Sequence, residues 1–242
     1  LFRSKVFRRV GAPGEVNPDR EVVRALWDGG YRSVPEPVAE CVRDGRDLAV
    51  ARRYLAGATS GWDLALHGPQ ALDTLGGLGA VTARMHVALA GAFGSAPGDT
   101  GAWAAAMRTG AARVPLPDGL DPTARYDAVA RTGDAGRAVR IHGDYHLGQV
   151  LHRDGSWYVL DFEGEPARPV AERTVPSSPL RDVAGMLRSF SYAAAVGSFP
   201  PAWEDEARRR FLTGYHGVGS VAPLLPADPG PLLAAFELDK AI

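Results

Sequence analysis

The sequence predicts an α+β chain of two lobes, a small, partly β lobe over residues 1–56 and a larger, mostly helical lobe over 57–242. Three observations carry this. The first 56 residues hold β-branched and aromatic runs broken by turn signals, with one helical stretch between them. Gly57 to Gly61 then reads as a linker between the lobes. Beyond it, apolar residues recur at helical spacing, interrupted only by short strands around a cluster of His, Asp and Gln.

Lys5 to Val10 (Lys-Val-Phe-Arg-Arg-Val) reads as a strand, and Gly11 to Gly14 as a turn. Asn17-Pro18-Asp19 opens a helix, with Asn17 as its cap, Pro18 at the first helical position and acids in the first turn. Val22, Val23 and Leu26 form that helix's apolar face, and Gly29-Gly30 ends it. A hairpin follows, from Val38–Val42 through Asp44-Gly45 to Leu48–Leu55. In the larger lobe Leu75, Leu78, Val81, Met85 and Leu89 mark a helix, and another is expected around Trp103–Ala112. Short strands are expected at Ala138–Ile141, Gln149–His152 and Trp157–Leu160, with Asp154-Gly155 as a turn. Ser178-Pro179 opens a helix bearing Leu180, Val183, Leu187 and Phe190, and two further helices cover Trp203–Tyr215 and Leu232–Ile242.

Composition excludes several classes. A net charge of −1 gives no reason to expect nucleic acid or an anionic membrane as a partner. Cys41 is the single cysteine, so an internal disulfide is impossible and a reducing compartment fits. No apolar run approaches the roughly 18 residues of a spanning helix, and a cytoplasmic location is expected. The chain starts without Met, inside an expected strand, and stops inside an expected helix, so it reads as a fragment. Basic residues are almost all Arg, with Lys only at Lys5 and Lys240.

The segment His142 to Pro169 carries the chemistry. Asp144 stands in His-Gly-Asp, Gln149 follows five residues on, and Asp161 closes the apolar run Trp157–Leu160. This order parallels the H-x-D-x-x-x-x-N and D-F-G pattern of phosphotransfer loops, with Gln for Asn and Glu163 for the Gly. Asp144 would accept the proton of an attacking hydroxyl, while the Gln149 amide and the Asp161 carboxylate would hold Mg²⁺ against the phosphates of ATP. Glu163 is close enough to reach a second ion. Lys5, on a strand ahead of a helix bearing Glu21, fits the strand-lysine and helix-glutamate pair that clamps the α- and β-phosphates. His142 and His146 have H-x-x-x-H spacing, but Gly143 and the flanking strands argue against the helix that zinc would need. His142 is read instead as bracing the loop, Asp182 as binding loop amides, and His86 as a packed core histidine.

With these motifs in place, the chain resembles the actinobacterial maltokinases, which belong to the aminoglycoside-phosphotransferase-like kinases with a bilobal protein-kinase-like fold. The blocks that match are Lys5–Arg9, Asn17–Glu21, Tyr54–Trp62, His142–Gln149, Asp161–Pro169, Ser178–Phe190 and Phe236–Lys240. The resemblance implies ATP- and Mg²⁺-dependent phosphorylation of maltose at its anomeric hydroxyl, feeding glycogen synthesis, with association or fusion to trehalose synthase. It makes Arg53-Tyr54-Leu55 the hinge whose backbone meets adenine, Asp144 the base, Gln149 and Asp161 the metal ligands, and Lys5 with Glu21 the phosphate clamp. Two other readings stand beside it, a related amino-sugar or aminoglycoside kinase and a non-catalytic kinase-like regulatory module.

Overall fold

The structure is a computed structural model that describes residues 1–7, 10–117, 119–165 and 173–242. Its first sheet has the order β1-β3-β2, all antiparallel, from β1 (Phe2–Val6), β2 (Pro37–Arg43) and β3 (Arg46–Arg53). Asp44 and Gly45 both take positive φ, 52° and 70°, which continues the strand twist through a two-residue hairpin. The opening strand lies earlier than the expected Lys5–Val10, because β1 pairs with β3 from Phe2↔Arg53 to Val6↔Ala49. Beyond Phe7, whose amide still reaches Leu48 O, β3 runs out into its own hairpin; Arg8 and Arg9 lie outside the described residues.

Helix α1 (Pro18–Asp28) forms as its sequence dictates. The Asn17 side chain accepts from the Asp19 amide at 2.9 Å, and Pro18 occupies a first-turn position that has no helical partner for an N–H. Val22, Val23 and Leu26 are buried. The helix start is pinned to β3, since the Asn17 amide donates to Asp47 at 2.8 Å and Arg20 bridges Asp47 and Glu40.

The segment expected to be a linker is built into the second sheet. β4 (Thr59–Ser60) pairs with β7 (Val150–Arg153), which pairs with β8 (Ser156–Val159). Ser60 then caps α2 (Gly61–Ala65) through the Asp63 amide at 3.0 Å. A Cβ on Gly61 would stand 2.5 Å from Val150 and 2.8 Å from Leu147 O, so this stretch is packed against the strands it faces.

The helical layer consists of α3 (Pro69–Phe93), α4 (Thr100–Ala111), α5 (Thr123–Ala130), α6 (Leu180–Gly197), α7 (Pro201–His216) and α8 (Gly230–Ala241). A two-stranded ribbon, β5 (Ser95–Pro97) with β6 (Arg137–Val139), leads into the His142 loop. The α3 stripe of Leu75, Leu78, Val81, Met85 and Leu89 is buried, at about 1.5–3 kcal/mol for each large side chain. It joins Val183, Leu187, Phe190 and Phe211 in the main core, while Tyr126, Leu180 and Phe236 centre a second, smaller one. No described helix is long and apolar enough to cross a membrane.

Candidate active site

The loop from His142 to Gln149 is fixed from beneath by one buried carboxylate. Asp182, in the first turn of α6, accepts the His142 amide at 2.8 Å and the Gly143 amide at 2.9 Å. Gly143 has φ +86°, a conformation that side-chain-bearing residues rarely take. The buried His142 ring donates from Nε2 to Leu160 O at 2.8 Å and accepts from the Asp144 amide at Nδ1, 3.3 Å away. That pair of bonds sets its tautomer and ties the loop to the strand that ends at Asp161. Phe162 and Tyr145 pack on the same ring.

The consequence is a part-exposed Asp144 carboxylate on a loop held by these bonds. His146 Nε2 lies 3.9 Å from it, and His146 Nδ1 accepts from the Gly148 amide at 3.0 Å. Burial holds the His146 pKa below its ordinary value, although Asp144 pulls it up. The imidazole is therefore neutral at neutral pH, with its proton on Nε2, toward Asp144.

Asp161 sits at φ +60°, a left-handed position that costs about 1–3 kcal/mol for a non-glycine residue and concentrates at functional sites. Its carboxylate is 2.6 Å from Lys5 Nζ, and Glu163 approaches the same ammonium at 2.8 Å. Asp19 completes the group at 3.4 Å from Lys5 and 2.9 Å from Arg52, while its other oxygen accepts the Phe162 amide at 2.9 Å. Burial would push the Lys5 pKa down, but Asp19, Asp161 and Glu163 hold it above its usual value.

The lysine's partner on the helix is thus Asp19, and the expected pairing with Glu21 is not made. The two acids are two positions apart on α1, about 200° around the helix axis, so only one can face Lys5. Glu21 instead stands 3.6 Å from Arg140, a buried guanidinium two residues ahead of His142. Neutralising Glu21 as Glu21→Gln leaves Arg140 without that charge. Because Glu21 is itself part-exposed, the expected loss is about 1 kcal/mol, read as a lower urea midpoint. An unchanged midpoint would show the pair to be idle.

The carboxylates of Asp19, Asp161 and Glu163 offer oxygens within 4.8 Å of one another. Asp19 is fully buried with both oxygens bonded, so Asp161 and Glu163 are the two that face a cavity of about 720 Å³, lined also by Phe7, Gly11, Asn17 and Arg173. Gln149, paired with Asp161 as a ligand from sequence, is drawn near it by backbone. It ends a 3₁₀ turn (Leu147–Gln149), and its carbonyl accepts the Leu160 amide at 2.9 Å. This oxygen-rich set suits a hard divalent cation such as Mg²⁺, which keeps several waters and needs few protein ligands.

Arg53 ends β3, Tyr54 and Leu55 follow it, and the cavity lining does not include them. The Arg53 amide donates to Glu36 O at 2.9 Å and the Tyr54 amide to Leu1 O at 3.2 Å.

Sequence reasoning passed over Asp19, Arg52 and Arg140, and gave His86 no role beyond packing. His86 Nε2 bonds Asp182 at 3.1 Å. For Asp182, burial raises the pKa, yet the His86 bond, nearby His142 and the Gly143 amide bring it below the usual carboxylate range; Arg52, Lys5 and the Phe162 amide do the same for buried Asp19. A depressed folded pKa contributes stability that is present above the unfolded value of about 3.9 and is lost as pH falls through the folded one. The melting temperature is expected to drop below about pH 4, and to drop less steeply in Asp182→Asn. Parallel melting curves for the two proteins across pH 2–5 would contradict this.

The sequence pattern of the phosphotransferase enzyme family (APH) matches residues 3–226, and the chain belongs to that family. It is 34% identical over 247 aligned residues to a glucosamine kinase of Streptacidiphilus jiangxiensis, covering 85% of this chain and 55% of that one. A glucosamine kinase of Mycolicibacterium smegmatis is 29% identical, over 88% of this chain and 62% of its own. The chain thus spans somewhat over half the length of these relatives. Among solved structures, a glucosamine kinase in complex with glucosamine, ADP and inorganic phosphate superposes with a TM-score of 0.82 at 29% identity, covering 99% of this chain and 66% of that one. A choline/ethanolamine kinase family protein from Mesorhizobium loti, 16% identical with a TM-score of 0.59, over 99% of this chain and 70% of its own, shares the fold.

Proposed function

We propose that this chain is the catalytic part of a sugar kinase that transfers the γ-phosphoryl group of ATP to a hydroxyl of an amino sugar, with glucosamine as the first acceptor to test. The observation that carries it is that the His142–Asp144 loop, braced by Asp182, is tied through the His142 ring to Leu160, the residue before Asp161, which with Lys5 and Glu163 lines the cavity. Asp144 orients the acceptor hydroxyl and takes its proton as the new O–P bond forms and the bond to the ADP oxygen breaks. Lys5 has the charge and position to bind phosphate oxygens once Asp161 and Glu163 turn to a metal ion. Asp161 and Glu163, with Gln149 a further candidate, would hold Mg²⁺, which neutralises charge on the β- and γ-phosphates when bound.

The proposed acceptor is the amino-sugar alternative, and not the maltose that the sequence resemblance implied. Two relatives, at 34% and 29% identity, are glucosamine kinases, which supports an amino sugar over maltose. ADP release by the whole protein with Mg²⁺-ATP should therefore show kcat/KM for glucosamine at least about tenfold above maltose and kanamycin, a preference of about 1.4 kcal/mol. A maltose preference would restore the first expectation. Absence both of turnover with every sugar and of Mg²⁺-ATP binding would favour a regulatory module.

A further inference from the structure

We propose that Arg52 is a positioning residue for Lys5: it takes up the charge of buried Asp19, which would otherwise draw Lys5 down onto α1 and away from the nucleotide phosphates. The proposal rests on the kinase reading above and adds to it a residue that the cavity lining does not include, so its action must pass through Asp19.

Both oxygens of the Asp19 carboxylate are committed. Oδ1 accepts the Phe162 amide at 2.9 Å. Oδ2 is shared by two cations, Arg52 at 2.9 Å and Lys5 at 3.4 Å. Attraction falls with distance, so the guanidinium takes the larger part of that oxygen's charge. Arg52 lies two residues past Val50, the register partner of Lys5, so the two cations rise from neighbouring strands on one face of the sheet. A second bond, from the Arg52 guanidinium to Asp19 O at 3.1 Å, keeps Arg52 on the first turn of α1. With side-chain exposures of 12% for Arg52 and 35% for Lys5, the arginine is the fixed partner and the lysine the one with room to move.

On its other side Lys5 is held by Asp161 at 2.6 Å and Glu163 at 2.8 Å, the two acids that would turn to a metal ion. Lys5 then stands between Asp19 and the phosphates. An unpaired buried carboxylate is a strong competitor for an ammonium, because it has no water to lean on. One already bonded to a planar guanidinium competes less. Arg52 thereby lets Asp19 keep its hold on the Phe162 amide, beside Asp161, without tying down the lysine.

The test is a double-mutant cycle of Arg52→Gln and Asp19→Asn in the whole protein, read as the Kd for Mg²⁺-ADP. Arg52→Gln is expected to weaken Mg²⁺-ADP about tenfold, the worth of one charge-assisted contact, while adenosine, which has no phosphate, stays within about twofold. Asp19→Asn releases Lys5 and should tighten Mg²⁺-ADP. In the Asp19→Asn background, Arg52→Gln should cost less than about threefold. Wild-type affinity in Arg52→Gln overturns the proposal, and so does an equal loss in both backgrounds, which would mean that Arg52 acts by its own field. Adenosine weakened as much as ADP overturns it too. Should Arg52→Gln not fold by itself, Asp19→Asn decides, and weaker Mg²⁺-ADP binding there overturns the proposal. A readout without nucleotide uses the scarcity of lysine. Lys5 and Lys240 are the two in the sequence, so acylation of Lys5 can be measured against Lys240 by mass spectrometry. That ratio should fall several-fold in Arg52→Gln and rise in Asp19→Asn; an unchanged ratio in both overturns the proposal. A wild-type protein that binds no Mg²⁺-ADP would sink the kinase reading, while the acylation ratio would still decide whether Arg52 governs Lys5.

Discussion

Replacing Asp144 by Asn is expected to lower the rate of phosphoryl transfer by about 10²–10⁴-fold, the usual worth of a positioned acid–base group, while ATP binding and stability change little. The side chain is part-exposed and the neutral His146 ring is 3.9 Å off, so an isosteric amide disturbs no packed contact. The loop itself is held by main-chain bonds to Asp182 and His142, none of which involves the Asp144 carboxylate. Asp161→Asn should behave differently. It removes charge from the group around Lys5, so the concentration of Mg²⁺ needed for half-maximal rate should rise along with the loss of kcat. The check is ADP release against ATP, sugar and Mg²⁺ for both variants. Asp144→Asn turning over within threefold of wild type would remove Asp144 from the chemistry.

Much of this was legible in the sequence, for local reasons. The α1 start is written in Asn17-Pro18, because capping and proline's fixed φ act within one turn. The α3 stripe is written in its apolar period, and the β2–β3 turn in Asp44-Gly45. What escaped was decided at long range. Whether Asp19 or Glu21 faces Lys5 depends on how α1 is rotated over β1, and no motif encodes that angle. Thr59-Ser60 looked like a linker because small residues mark loops, yet the free edge of β7 recruits them as a strand. Helix α5 has only Tyr126 and Val129 as buried anchors, too short a pattern to show periodicity. His86 looked apolar by company because its partners, Tyr215 and Asp182, are 129 and 96 residues away.

The same long-range packing makes Gly214→Ala the substitution expected to cost most in stability. In an exposed helix interior, alanine for glycine should gain about 0.5–1 kcal/mol, since glycine loses more backbone entropy on folding. Gly91 in α3 is such a site, exposed and with nothing within 4 Å of an added Cβ, so Gly91→Ala should stabilise by that amount. At Gly214 the added carbon would stand 1.9 Å from Gly76 O and 2.7 Å from its carbonyl carbon. Both atoms are backbone of a helix, so no rotamer change relieves the overlap and α3 must part from α7. Overpacking costs about 1–3 kcal/mol where side chains can yield; here about 3 kcal/mol or more is expected, enough to reverse the entropic gain. Urea midpoints for the two alanine variants, measured side by side, should move in opposite directions. If both rise, the helices have room to part, and glycine at 214 reflects composition and not contact.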